Sequence, residues 1–102
     1  MAQRESRLSR KIQERLRGEG YFCFKVHGSE AMMAGLPDIV VCAEGLFIGL
    51  ETKNPETRSN VSPRQHYVHE KIKQAKGSVF VVTSPEEAVQ VIRDAITQFG
   101  RK

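Results

Sequence analysis

The segment Gly35–Lys53, GLPDIVVCAEGLFIGLETK, decides the fold. Two apolar runs, Asp38-Ile39-Val40-Val41-Cys42 and Leu46-Phe47-Ile48-Gly49-Leu50-Glu51, flank Glu44-Gly45. Short runs rich in β-branched residues around an Xaa-Gly pair read as a β-hairpin. With a two-residue turn, Ala43 pairs with Leu46, and Asp38 falls directly opposite Glu51. Opposed residues of an antiparallel pair carry Cβ atoms roughly 4.5–5.5 Å apart on one face. Lys53, two residues beyond Glu51, projects from that face too. Two carboxylates so close repel each other, and one pKa rises unless a cation lies between them. Hard oxygen donors suit Mg²⁺ or Mn²⁺ better than zinc. The register carries the argument. Glu-Gly is a poorer type I′ turn than Asn-Gly, and a three-residue loop would place Leu50 opposite Asp38 unless a bulge restored the face. The plain alternative has Asp38 capping a strand edge, with Glu51 and Lys53 in an ordinary exposed charge network.

Working outward, Leu8, Ile12 and Leu16 recur at helical spacing from about Glu5 to Arg17, and Gly18 and Gly20 end that helix. Tyr21 to Val26 alternates as a strand, with Phe22, Phe24 and Val26 on one face and Tyr21, Cys23 and Lys25 on the other. His27 to Pro37 reads as irregular loop, and so does Asn54 to Ser62. Ser62-Pro63 is an N-cap with proline at the first helical position, opening a helix that carries Tyr67, Ile72 and Ala75 and ends near Gly77. Ser78 to Thr83 is a β-branched strand. Ser84-Pro85-Glu86-Glu87 matches a capping box, and its helix buries Ala88, Val91, Ile92, Ala95 and Ile96. The order α-β-β-β-α-β-α contains one βαβ crossover, which predicts an α/β fold with a mixed four-stranded sheet flanked by helices.

At 102 residues the chain is one domain, 1–102, without repeats or linkers. Its charge of +4 and pI near 9.3 lean toward polyanions, and the excess is concentrated in the first helix at Arg4, Arg7, Arg10, Lys11, Arg15 and Arg17. Cys23 and Cys42 lack metal-site spacing and read as reduced core thiols of a cytoplasmic protein. No apolar run approaches the about 20 residues of a membrane helix, so no membrane partner is expected.

Pro37-Asp38 followed by Glu51-Thr52-Lys53 resembles the signature of the restriction-endonuclease-like, PD-(D/E)XK superfamily. With Gly35-Leu36-Pro37-Asp38, Val61-Ser62-Pro63-Arg64-Gln65 and the strand Val79-Phe80-Val81-Val82, the chain resembles the VRR-NUC branch from about Glu5 to Ile96. That resemblance implies a restriction-endonuclease-like core and a Mg²⁺-dependent deoxyribonuclease in which Mn²⁺ substitutes. It further implies a standalone phage or bacterial homodimer acting on branched DNA such as Holliday junctions, in the bacterial cell or a host cytoplasm. It makes Asp38 and Glu51 metal ligands, with the main-chain carbonyl of Thr52 as a third and Glu5 approaching the metal directly or through water. Lys53 becomes the catalytic lysine, and Gln65 a glutamine that supports the site or contacts the phosphate.

Each candidate has a plain counterpart. Glu5 also suits a helix N-terminus, and Gln65 also suits a solvent-facing helix position. Lys25, His27, Arg64, Arg7 and Lys11 are candidate DNA contacts, and the basic face of the first helix equally fits a solvated surface. His66 and His69, three apart on one helix, lack a companion ligand for a metal pair. Against the endonuclease stand a DNA-binding module without chemistry, and a nuclease-fold subunit of a larger DNA-processing assembly.

Overall fold

The computed structural model describes residues 2–28 and 32–100, with side chains described from residue 7 onward. Helix α1 spans Ala2–Gly18. Strands β1 (Phe22–Lys25), β2 (Ile39–Ala43) and β3 (Leu46–Thr52) follow, and then a 3₁₀ turn at Pro55–Thr57. Helix α2 is Pro63–Gln74, strand β4 is Ser78–Val82 and helix α3 is Pro85–Phe99. The sheet order is β1-β2-β3-β4, antiparallel across the first three strands and parallel between β3 and β4. The expected element order and fold class hold, with boundaries moved by a residue or two and helix α1 beginning three residues earlier.

The core lies on one face of the sheet. Ile39 and Val41 of β2, Ile48 and Leu50 of β3, and Val82 of β4 point the same way and have no exposed surface. They meet Ile12 and Leu16 of α1 and Ala88, Ile92 and Ala95 of α3 in one cluster. Each large aliphatic side chain buried there contributes about 1.5–3 kcal/mol. The two helices also touch each other, and Glu19 at the end of α1 bonds Arg93 of α3.

Helix α2 covers part of the opposite face. Its start is fixed by a complete capping box: Ser62 Oγ accepts the Gln65 N–H, and Gln65 Oε1 accepts the Ser62 N–H. Helix α3 completes only half of its expected box. Ser84 accepts the Glu87 N–H, but the Glu87 carboxylate takes the Thr83 N–H and the Arg58 guanidinium instead.

Two expectations about burial and one about a loop are corrected. Cys42 is exposed, because β2 parity sends it to the face that no helix covers near β1; its ladder neighbours there are Phe22 and Phe47, also exposed. Tyr67 is 54% exposed, and the helix instead buries Val68 and His69. The loop after Lys53 contains the 3₁₀ turn. Cys23 is buried as expected, and both cysteines are free.

Candidate active site

The hairpin closes through Glu44 (φ 53°) and Gly45 (φ 79°), both positive as a type I′ turn requires. The ladder runs from Ala43↔Leu46 to Ile39↔Leu50, so one further step brings Asp38 beside Glu51. The two-residue reading of the turn is the one that forms, and the carboxylate pair follows from it.

Asp38 is held from three sides. Its Oδ2 accepts the Thr52 N–H (2.8 Å) and the Thr52 hydroxyl (2.7 Å). Just before it, Pro37 packs directly on the bare backbone of Gly49, where a Cβ would come within 2.5 Å of the proline ring. The Arg64 guanidinium donates to Ala34 O (3.1 Å), tying the preceding loop to α2.

Glu51 lies beneath α2 and is 2% exposed. Its Oε2 accepts a hydrogen bond from Gln65 Nε2 (2.8 Å), while Oε1 is buried without a hydrogen-bond partner among the described residues. Burial, followed by the charge of Asp38, pushes its pKa up to about 8, against the opposing pull of Lys53 and Gln65. The capping box fixes how Gln65 approaches: its oxygen is committed to the Ser62 N–H, so its amide nitrogen faces Glu51. Lys53 continues the β3–β4 ladder through its N–H to Val82 O (3.0 Å), and its ammonium has no hydrogen bond or ion pair among the described residues.

The other candidates fall into three groups. Lys25 lines a groove beside Asp38 with Met32, Met33 and Pro37, its ammonium resting on Val26 O (3.2 Å). His27 is exposed and does not line that groove. Arg64 sits over the Tyr67 ring (5.2 Å), with Lys71 on the same ring at 5.5 Å, so the basic surface of α2 is larger than its sequence signal. Arg7 and Lys11 are on α1, across the end of the sheet beyond Lys53. Glu5 is in the opening turns of α1, and its side chain lies outside the described residues.

One neighbour of the site was weighed from sequence only as half of a pair with His66. His69 Nε2 lies 3.8 Å from Glu51 Oε1, and both atoms are buried without a hydrogen-bond partner among the described residues. Burial and the nearby Lys73 hold its pKa below the ordinary value, so the ring is neutral at neutral pH. The available signal was position: His69 is one helical turn after Gln65 and shares its inward face. Among the described residues, no three carboxylate, imidazole or thiol side chains converge as a metal-binding group.

Neither a family profile nor a curated protein matches the chain by sequence. A solved structure described as "VRR_NUC domain" matches it with a TM-score of 0.69 and 27% identity, over 87% of this chain and 94% of that one. The chain folds as a VRR-NUC domain. The VRR-NUC domain belongs to the PD-(D/E)XK superfamily, and the mixed four-stranded sheet flanked by helices fits that restriction-endonuclease-like fold. Within this VRR-NUC domain, no helix among the described residues is long and apolar enough to cross a membrane.

Proposed function

We propose that this domain is a divalent-metal-dependent endonuclease that hydrolyses phosphodiester bonds in DNA. The observation that carries the reading is the opposed pair Asp38–Glu51 beside Lys53, whose ammonium makes no hydrogen bond or ion pair among the described residues, with a buried Glu51 oxygen that no donor among the described residues satisfies. Such an arrangement costs stability in the metal-free chain, and a divalent cation relieves both the repulsion and the missing partner. The side-chain donors are hard oxygens, as Mg²⁺ requires, and Mn²⁺ accepts the same set. Asp38 and Glu51 would hold the ion, with the Thr52 carbonyl and Glu5 as the further donors. When bound, the ion would polarise the phosphate and lower the pKa of a water molecule.

The rest of the work belongs to the chain. Thr52 orients Asp38 through two hydrogen bonds, and Gln65 orients Glu51 through one. Lys53 places a positive charge where negative charge develops on the attacked phosphate. Lys25 and Arg64 near Asp38, and Arg7 and Lys11 beyond Lys53, give the DNA backbone cations to follow on either side. His27 belongs to this set only as an exposed polar side chain near the groove.

Branched DNA, four-way junctions included, is the substrate class in this proposal, and the working form is a C2 homodimer that brings one site to each strand. The exposed Phe22, Phe24 and Phe47 on the uncovered sheet face support an association surface. The test is cleavage of labelled duplex, single-stranded and four-way-junction DNA by wild type and Lys53→Ala, with Mg²⁺, Mn²⁺ or EDTA. Metal-dependent cutting is expected, strongest on the junction, and lowered at least roughly 10²–10³-fold in the variant. If every substrate stays intact in Mn²⁺, the nuclease reading fails.

A further inference from the structure

Beyond Lys53, on the α1 side of the sheet, a cavity of about 280 Å³ is lined by Arg7, Leu8, Lys11, Asn54, Pro55 and Thr83. Arg7 and Lys11 are one helical turn apart, so both cations reach the same opening. Neither makes a hydrogen bond or ion pair among the described residues.

Asn54 lines the same cavity. The residue is only 7% exposed. Its main-chain carbonyl accepts from Thr57 N–H (3.0 Å) and Thr57 Oγ1 (3.3 Å), yet its side-chain amide has no partner among the described residues. It occupies the N-cap position of the 3₁₀ turn without making a cap bond, so the turn does not explain the asparagine. A nearly buried asparagine whose amide is unbonded among the described residues yet open to the solvent, lining one cavity with two cations, is chemistry for an oxyanion. The nearby Glu87 carboxylate does not oppose this, because Arg58 and Thr83 already engage it.

The position along the chain gives the cavity its purpose. Asn54 follows Lys53 in extended backbone (φ −72°, ψ 155°), and side chains of successive extended residues point to opposite sides. Lys53 therefore serves the carboxylate face, while Asn54 serves the cavity around the end of β3.

We propose that this cavity is a phosphate subsite, in which the Asn54 amide, Arg7 and Lys11 hold a DNA phosphate neighbouring the one at Asp38 and Glu51. The identity of the polyanion rests on the nuclease reading; the affinity for phosphate does not.

Two measurements test it in EDTA, where no cleavage occurs. In the first, inorganic phosphate is titrated into the ¹⁵N-labelled protein at constant ionic strength, with chloride as control. The Asn54 side-chain amide should shift saturably with phosphate and stay still with chloride; an amide that ignores phosphate, or follows both anions alike, overturns the subsite. The second compares DNA binding by wild type, Asn54→Ala and the exposed-site variant Lys11→Ala. Affinity should fall about tenfold in each, and Lys11→Ala should lower the salt slope by about one. Unchanged affinity in Asn54→Ala, with wild-type melting, overturns the proposal whatever Lys11→Ala does.

Oligonucleotides with and without a 5′-phosphate identify the source. A loss shared by both assigns an internal phosphodiester, and a loss confined to the phosphorylated form assigns a strand end. A protein that binds in this way but never cuts refutes only the nuclease reading. One that cuts while Asn54→Ala binds normally refutes only the subsite.

Discussion

On the face covered by α1 and α3, Ile39, Val41, Ile48 and Leu50 are fully buried and present no polar side-chain atom. On the face beneath α2, the alternate positions of the same two strands are Asp38, Val40, Cys42, Phe47, Gly49 and Glu51. One hairpin thus carries two surfaces built from the same backbone. The first is closed and apolar. The second is partly open, holds two opposed carboxylates, and leaves one buried oxygen unbonded among the described residues. The difference separates what folds the chain from what works on a substrate: the closed face supplies the free energy, and the other face spends part of it on a site that is uncomfortable without a cation.

The largest expected effect tests that division with neighbouring residues. Leu50→Ala should cost about 2–5 kcal/mol in urea unfolding, because it opens a cavity in a fully buried cluster. Glu51→Gln, one position later on the other face, should leave stability at pH 8 unchanged or raised, since it removes a buried charge that repels Asp38. Equal losses for the two variants would break the comparison, for the α2 face would then be holding the fold as firmly as the core.

A pH series sharpens it. The folded pKa of Glu51 is raised from 4.5 to about 8, so the folded state binds the proton more tightly than the unfolded chain does. This contribution to stability is fully present below about pH 4.5 and is lost as pH rises through 8. In EDTA, the melting temperature should therefore fall by several degrees between pH 5 and pH 8. Mn²⁺ should restore it at pH 8 by binding the ionised pair, and Glu51→Gln should flatten both responses. A wild-type protein whose melting is flat across that range, with and without Mn²⁺, would show that the α2 face carries no such strain.

Both faces were legible in the sequence to the extent that alternation governs them. Period-2 patterning places Asp38, Glu51 and Lys53 on one side as surely as it places Ile48 and Leu50 on the other, once the turn length is fixed. What alternation cannot convey is which side a helix covers. Cys42 sits in an apolar run like Cys23, but only Cys23 faces α1, where its thiol meets Gln13 O. Tyr67 falls outside the inward stripe of α2 and His69 within it for a related reason: the stripe is set by where Gln65 must reach Glu51, a long-range contact without a local signal. The phosphate cavity was half legible, since Arg7 and Lys11 stood out by charge. Asn54 did not, because its burial arises only when α1 folds across the end of β3 and β4.

The smallest expected effect concerns the turn on which both faces depend. Glu44 adopts φ 53°, in the left-handed region that costs a side-chain-bearing residue about 1 kcal/mol and that asparagine tolerates best. Glu44→Asn should accordingly stabilise the domain by about 0.5–1 kcal/mol in urea unfolding. It should do so without touching the pH response, because the register does not rest on the turn alone. A slip of one residue would turn Ile39, Val41, Ile48 and Leu50 out of the core together, a cost far above anything the turn contributes. Glu51 should therefore titrate in the variant as in the wild type. If the titration moves along with the stability, Glu44 is bending the hairpin at Asp38 as well as closing it, and the two faces are mechanically coupled through the strand pair.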